Sequence, residues 1–204
     1  MGLCLLVDVM IQPSTIWYDW FGLNKALFVF INHATWPGRD ALAAAGTFVG
    51  DHHWYPVYLA VAFSIACARP LWINPDRVGV LLWSYLLSWW VIATLKPLLD
   101  FPRPLSVLGE AAVHVVGQPE FHHSFPSGHT AFAFLLLGCL APGASRPIQI
   151  GLVILAFWVL WSRMAVGAHF PADVLGGALI GLLCAGAVSG LWVVAKFVRN
   201  RAEG

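Results

Sequence analysis

The chain is 204 residues long, 59% hydrophobic and only 10% charged, with a formal net charge of +1. A soluble domain carries about 25% charged residues, so a wetted globular surface is excluded. The near-zero balance equally excludes a global field that would gather nucleic acid or another polyanion. What remains is a single membrane-embedded body over residues 1–204, in which any charge logic is local.

The first fifty residues contain no full span. "MGLCLLVDVM" is too short and is interrupted by Asp8, and neither a basic leader nor an A-x-A site marks a cleaved signal peptide. "WFGLNKALFVFIN" and "DALAAAGTFVG" are short and amphipathic, and Trp17, Tyr18, Trp20 and Trp36 suit the headgroup zone. Residues 1–50 therefore read as interfacial or re-entrant helices, with a sixth span hidden among them as the alternative.

A transmembrane core follows over 54–196. A bilayer interior roughly 30 Å thick needs about 20 apolar residues in a helix, and five segments meet or approach that: 54–72, 78–96, 128–143, 148–164 and 173–195. No formal charge falls between Arg77 and Lys96 or between Asp173 and Lys196, and Pro126, Pro142 and Pro147 suit helix edges. Lipid offers no partner for backbone amides, so the segments are expected to be helices. Gly177, Gly181 and Ala185 would let the last one pack closely on a neighbour. The fold class expected is all-α: a polytopic bundle of five to six spans with interfacial N-terminal helices. Cys4, Cys67, Cys139 and Cys184 lack zinc or disulfide-framework spacing and read as small hydrophobes.

Five spans put Arg69, Arg77, Arg146, Lys196, Arg199 and Arg201 on one side, and Lys25, Arg39, Lys96, Arg103 and Arg163 on the other. The positive-inside rule makes the first side cytoplasmic and places 97–127 and 163–172 outside.

Three polar stretches fall on that outer side: "KPLLDFPRP" from Lys96, "PSGH" from Pro126, and "SRMAVGAHFPAD" from Ser162. Ionisable groups at membrane depth are costly and are functional candidates by default. Arg103 and Arg163 offer planar forks that match phosphate oxygens, and Lys96 adds a point charge. Ser127 and Gly128 open a helix, whose free amides and positive dipole end attract anions. His169 and His129 can divide the work of nucleophile and general acid, with Asp173 fixing the tautomer of His169. Alone, each cation would read as an interfacial anchor that snorkels to the headgroups; three in register ask for an anionic ligand.

Lys96-x6-Arg103-Pro104, Pro126-Ser127-Gly128-His129 and Ser162-Arg163-x5-His169-x3-Asp173 together resemble the three-part signature of the type 2 phosphatidic acid phosphatase superfamily. The resemblance covers residues 96–173 and implies a bundle of about six helices. It also implies a phosphatase that needs no metal or other cofactor and works through a phosphohistidine. On that reading His169 attacks phosphorus, Asp173 orients it and His129 protonates the leaving oxygen. Lys96, Arg103, Ser127, Gly128 and Arg163 would hold the phosphoryl oxygens.

Other polar residues carry weaker signals. His122 and His123 lie outside the signature, and a metal site of His114, His122 and His123 is conceivable. "DHH" at 51–53 resembles a motif of soluble metal-dependent phosphoesterases but stands alone before an apolar span. The loop from Leu105 to Phe125, with Glu110, His114 and Glu120, is placed to cover the site. "WSYLLSWW" at 83–90 either lines a lipid entrance or packs against lipid.

The function expected is hydrolysis of a phosphate or pyrophosphate lipid at the periplasmic face of a bacterial inner membrane. The substrate would be undecaprenyl pyrophosphate or one of the phosphatidylglycerol phosphate and phosphatidic acid type. The partners implied are the phosphorylated lipid and the bilayer, and no nucleic acid. A lipid phosphotransferase would use the same residues. A vanadium haloperoxidase would share the anion pocket, but five apolar spans count against that soluble class. A non-catalytic lipid carrier would not need His169, His129 and Asp173 together.

Overall fold

The computed structural model describes residues 16–203, so the readings made above on residues 1–15, including Cys4 and Asp8, lie outside the described residues. Among the described residues there are helices and turns and no strand. After a short turn, Ile16–Asp19, come α1 (Leu23–Asn32), α2 (Arg39–Val49), α3 (Tyr55–Ala68), α4 (Asp76–Leu99), α5 (Gly128–Leu140), α6 (Arg146–Ala165) and α7 (Pro171–Glu203).

α3 to α7 follow the order of the five expected segments, with different lengths. By length and composition α4, α6 and α7 can cross a membrane among the described residues, whereas α5 is a shorter apolar helix of 13 residues. It stops at Ala141 because Pro142 and Gly143, with φ at +77°, cannot continue it. α3 has 14 residues rather than the expected stretch to 72, ending where Arg69 leaves helical geometry just before Pro70. α4 runs on past Lys96, so Pro97 lies in its last turn, and Asp100 closes it with φ at +38°.

α5 is the central helix. Leu135, Leu136 and Cys139 are buried against α3, α4 and α7 residues such as Ala62, Leu81 and Ala185. Phe134 faces the other way, onto Ala156 and Val159 of α6. The α5–α7 contact is as close as the small-residue pattern anticipates. A Cβ at Gly177 or Gly181 would collide with the backbone carbonyl of Ser127 or Ala131, and one at Gly138 would lie 2.7 Å from the Ala185 methyl. Outward, Trp83, Trp90, Leu179, Leu183 and Phe197 are exposed, an apolar surface fit for lipid rather than water.

One end of the bundle is basic. Lys196 pairs with Asp76 at 2.5 Å, Arg77 donates to Ser189 at 3.1 Å, and the Ser145 amide bonds the Trp72 carbonyl at 3.1 Å. The opposite end receives the C-termini of α4 and α6, the N-termini of α5 and α7, and the short helices α1 and α2. α1 packs on α6 and α7, and α2 on α6.

Candidate active site

Those four helix ends deliver the signature residues to one place. A cavity of about 260 Å³ is lined at its polar end by Lys96, Arg103, Gly128, His129, Arg163 and His169. Its other wall is apolar, formed by Tyr85, Trp89, Ile92, Phe132 and Leu135. The "WSYLLSWW" stretch therefore splits: Tyr85, Ser88 and Trp89 line the cavity, while Trp83 and Trp90 face outward.

His169 sits in the turn between α6 and α7 and is 1% exposed. Arg103 Nη1 donates toward its Nε2 at 3.3 Å, and its Nδ1 lies 3.4 Å from Asp173 Oδ2 and 3.5 Å from Ser124 Oγ. Arginine has only donors, so this geometry fits a proton on Nδ1, toward the carboxylate, and a lone pair on Nε2, toward the cavity. Burial, then the charges of Arg103, Arg163 and Lys96, hold the imidazole well below its usual range. At neutral pH it is an uncharged base, the state a nucleophile needs.

Asp173 does not line the cavity; it stands behind His169. Its carboxylate accepts from the Tyr18 hydroxyl at 2.7 Å, the Ser124 hydroxyl at 2.5 Å and the Phe170 amide at 2.8 Å. Burial, then the neighbouring Asp173 charge, push the Tyr18 phenol far up, so it remains a donor.

Ser127 is buried and is not among the residues that line the cavity. Its hydroxyl caps α5, accepting from Thr130 Oγ1 at 3.1 Å, and its amide donates to the Asp173 carbonyl at 3.0 Å. It joins two helix starts instead of facing the cavity. Gly128 faces the cavity in its place, where an added Cβ would meet only Ile92 at 3.8 Å.

The two arginines are not left bare. Glu120 bridges them, 2.5 Å from Arg103 Nη2 and 3.5 Å from Arg163 Nη2. Arg103 also donates to the carbonyls of His122 at 2.8 Å and Ala168 at 3.1 Å. Arg163 donates to Thr47 Oγ1 at 3.2 Å, and its buried Nε has no partner among the described residues.

His129 is more open, with 23% of its side chain exposed, and its Nε2 is 4.0 Å from Asp51 Oδ2. Asp51 starts the turn His52–Trp54 and accepts from the His53 amide and ring at 2.9 and 2.6 Å. Burial alone would raise its carboxyl, but the His53 hydrogen bonds and the His129 charge together bring it below the usual value. Ligand atoms of Asp51, His52 and His53 lie within 4.8 Å of one another, the one grouping able to hold a metal ion among the described residues. The histidines of the covering loop go elsewhere. His114 pairs with Asp40 at 2.9 Å and His123 with Asp100 at 2.9 Å, so they do not converge with His122 on a common point.

The N-terminal helices brace this end. Asn24 accepts from the Ala172 amide at 2.9 Å; Asn32 bonds the carbonyls of His114 and Ala165 at 2.9 and 3.0 Å; buried Arg39 donates to the carbonyls of Asn32 and Ala165 at 2.7 and 2.8 Å. Loose helix ends are thereby satisfied without water.

Comparison with known proteins agrees with this architecture. The model of the PAP2 superfamily matches residues 77–197. The chain is 34% identical over 110 residues to YbjG of Escherichia coli, named as a proposed undecaprenyl-diphosphatase. That match covers 49% of this chain and spans about half of the relative, 47% of its length. It is 28% identical over 167 residues to the lipid A 4'-phosphatase of Bacteroides thetaiotaomicron, covering 78% of this chain and 72% of that one. The crystal structure of Aquifex aeolicus LpxE superposes with a TM-score of 0.73 and 31% identity, over 82% of this chain and 95% of that one. A PAP2-type phosphatidylglycerolphosphate phosphatase from Bacillus subtilis shares the fold at a TM-score of 0.70 and 20% identity, over 93% and 94%.

Proposed function

Because the chain belongs to the PAP2 superfamily, we propose that it hydrolyses a membrane lipid bearing a terminal phosphate or pyrophosphate, by way of a phosphohistidine and without a metal ion. The observation that carries this reading is the two-sided cavity. One end gathers Lys96, Arg103, Arg163 and an unprotonated His169 Nε2, and the wall beside it is apolar. A headgroup and the start of its tail fit those two halves together.

The chemistry follows from the atoms present. The Nε2 lone pair of His169 attacks phosphorus, and the bond from phosphorus to the leaving oxygen breaks. His129 gives that oxygen a proton, and the cations and the first amides of α5 bind the charge that builds on the phosphoryl oxygens. Water then attacks the phosphohistidine, His129 takes its proton, and inorganic phosphate leaves with Nε2 restored. Asp173 holds the imidazole throughout and stabilises the positive charge it acquires.

The likeness to YbjG favours undecaprenyl pyrophosphate as substrate, and the lipid A and phosphatidylglycerolphosphate phosphatases mark the neighbouring choices. The polar cavity lies opposite the basic end formed by Arg69, Arg77, Arg146 and Lys196, which supports a periplasmic site in a bacterial inner membrane.

Phosphate release from undecaprenyl pyrophosphate by purified protein in EDTA tests the reading. Release should persist in EDTA and be blocked by vanadate, a mimic of pentavalent phosphorus. Loss of release in EDTA, with recovery on adding one metal, would sink the metal-free mechanism and turn attention to Asp51, His52 and His53. Label that moves to another lipid instead of appearing as inorganic phosphate would identify a phosphotransferase.

A further inference from the structure

The carboxylate of Glu120 stands where this chemistry needs a phosphoryl group. It spans Arg103 and Arg163, whose side chains are only 6% and 4% exposed, while Glu120 itself is 43% exposed. An acid from the covering loop thus reaches into a seat built by buried cations. Resting on the reading of this cavity as a phosphoryl site, we propose that Glu120 is an internal competitor for the seat. It fills the arginine pair while the site is empty, moves aside for the substrate, and returns as inorganic phosphate leaves.

The surroundings allow that movement without opening a lid. The backbone just after Glu120 is fixed: the Phe121 carbonyl accepts from the Arg103 amide at 3.0 Å and Ser106 Oγ at 2.6 Å, and the His122 carbonyl from Arg103 Nε at 2.8 Å. Freedom belongs to the Glu120 side chain and to the stretch before it, where Gly117 has φ at +96°. A second cavity, of about 150 Å³, lies against the same residue, lined by Thr47, Gln118, Glu120, Arg163 and Gly167. The carboxylate can turn into it and stay beside Arg163 while Arg103 is released to the phosphoryl oxygens.

The consequence is an affinity threshold. Every anion must displace the same carboxylate, so its apparent dissociation constant is the intrinsic one divided by the fraction of time the seat is empty. Singly charged phosphodiester headgroups, which crowd a bilayer surface, then fall below useful affinity. A doubly charged terminal phosphoryl group stays above it, and its product is helped out. Glu120 therefore acts on the affinity for every anion and on product release, not on bond breaking.

The test is Glu120→Gln, which keeps size and removes charge, with Glu110→Gln as a control on the same loop. Inhibition of lipid pyrophosphate turnover would be measured with inorganic phosphate and with dimethyl phosphate, a soluble phosphodiester. If Glu120 holds the seat about nine-tenths of the time, both inhibition constants should fall about tenfold in Glu120→Gln, with no change in Glu110→Gln. Unchanged constants overturn the proposal. So do larger ones, which would mean that Glu120 orients the arginines and does not compete for them. Should the variant turn over too slowly, the rise of its thermal midpoint with inorganic phosphate reads the same affinity without catalysis. Failure of the underlying reading shows separately, as a wild-type protein that neither releases phosphate from the lipid nor responds to inorganic phosphate.

Discussion

His169 and His129 share one cavity and differ in almost everything around them. His169 is 1% exposed, with Arg103 on one ring nitrogen and Asp173 and Ser124 near the other. His129 has 23% of its side chain exposed, and its nearest acid, Asp51, is 4.0 Å away, beyond hydrogen-bond distance. The group proposed to form the bond to phosphorus is fixed before substrate arrives, as a productive attack geometry requires. The group proposed to deliver the proton keeps freedom to follow a leaving oxygen whose position depends on the lipid.

Four experiments would break or sharpen that contrast. The largest effect belongs to His169→Ala, which should lower turnover by about 10⁴-fold or more and leave no trappable phosphoenzyme; near-normal phosphate release would reverse the assignment. His129→Ala should cost about 10²–10⁴-fold. A phosphate leaving group needs a proton less than an alkoxide does, so a lipid monophosphate should suffer more than a lipid pyrophosphate. Equal losses on both substrates would mean that His129 does not protonate the leaving oxygen.

Tyr18→Phe probes the fixed side from further back. A hydrogen bond to a charged group contributes about 1.5–3 kcal/mol, so kcat should fall about tenfold or more with KM little changed. A rise in KM alone would show that Tyr18 shapes the cavity and does not hold Asp173. The smallest effect is in acid. Burial and the neighbouring cations lower the His169 pKa, so the folded protein keeps this ring neutral below pH 6.5, where an unfolded chain protonates it. Unfolding then takes up a proton at this ring, and the His169 contribution to stability declines as pH falls below about 6.5. Thermal midpoints at pH 7.5 and 5.5 should show a drop in the wild type that is smaller in His169→Gln.

The contrast also marks how much could be seen beforehand. Lys96, His129, Arg163 and Asp173 lie where hydrophobic runs stop, so the order of the spans already placed them at one end. Helix lengths were less visible, because α3 and α5 end at local breakers that interrupt runs still apolar in composition. Tyr18 could not be found by spacing: it reaches Asp173 across 155 residues, and its own segment gave only the signature of an interfacial aromatic. Ser124 sits three residues before Ser127 in a run of polar groups, but nothing local told it apart from its histidine neighbours. Glu120 was legible as a loop acid near the site, yet its bridge between the two arginines depends on how the loop folds back. Ser127 was assigned to the phosphate because a helix start offers amides, and the tie to the Asp173 carbonyl is a tertiary fact.

The brace of α1 and α2 on the far end of the sequence sets an order of assembly. Chains are made from the N-terminus, so Tyr18, Asn24, Asn32 and Arg39 emerge long before Ala165, Ala172 and Asp173, the residues they hold. The segments carrying Lys96 and His129 can insert in between, but Asp173 has no anchor and His169 no fixed ring until α7 arrives. A chain that stops short of α7 holds the cations but lacks Asp173, so His169 has no acid to fix its ring. Catalytic competence thus waits for α7, the helix that brings Asp173.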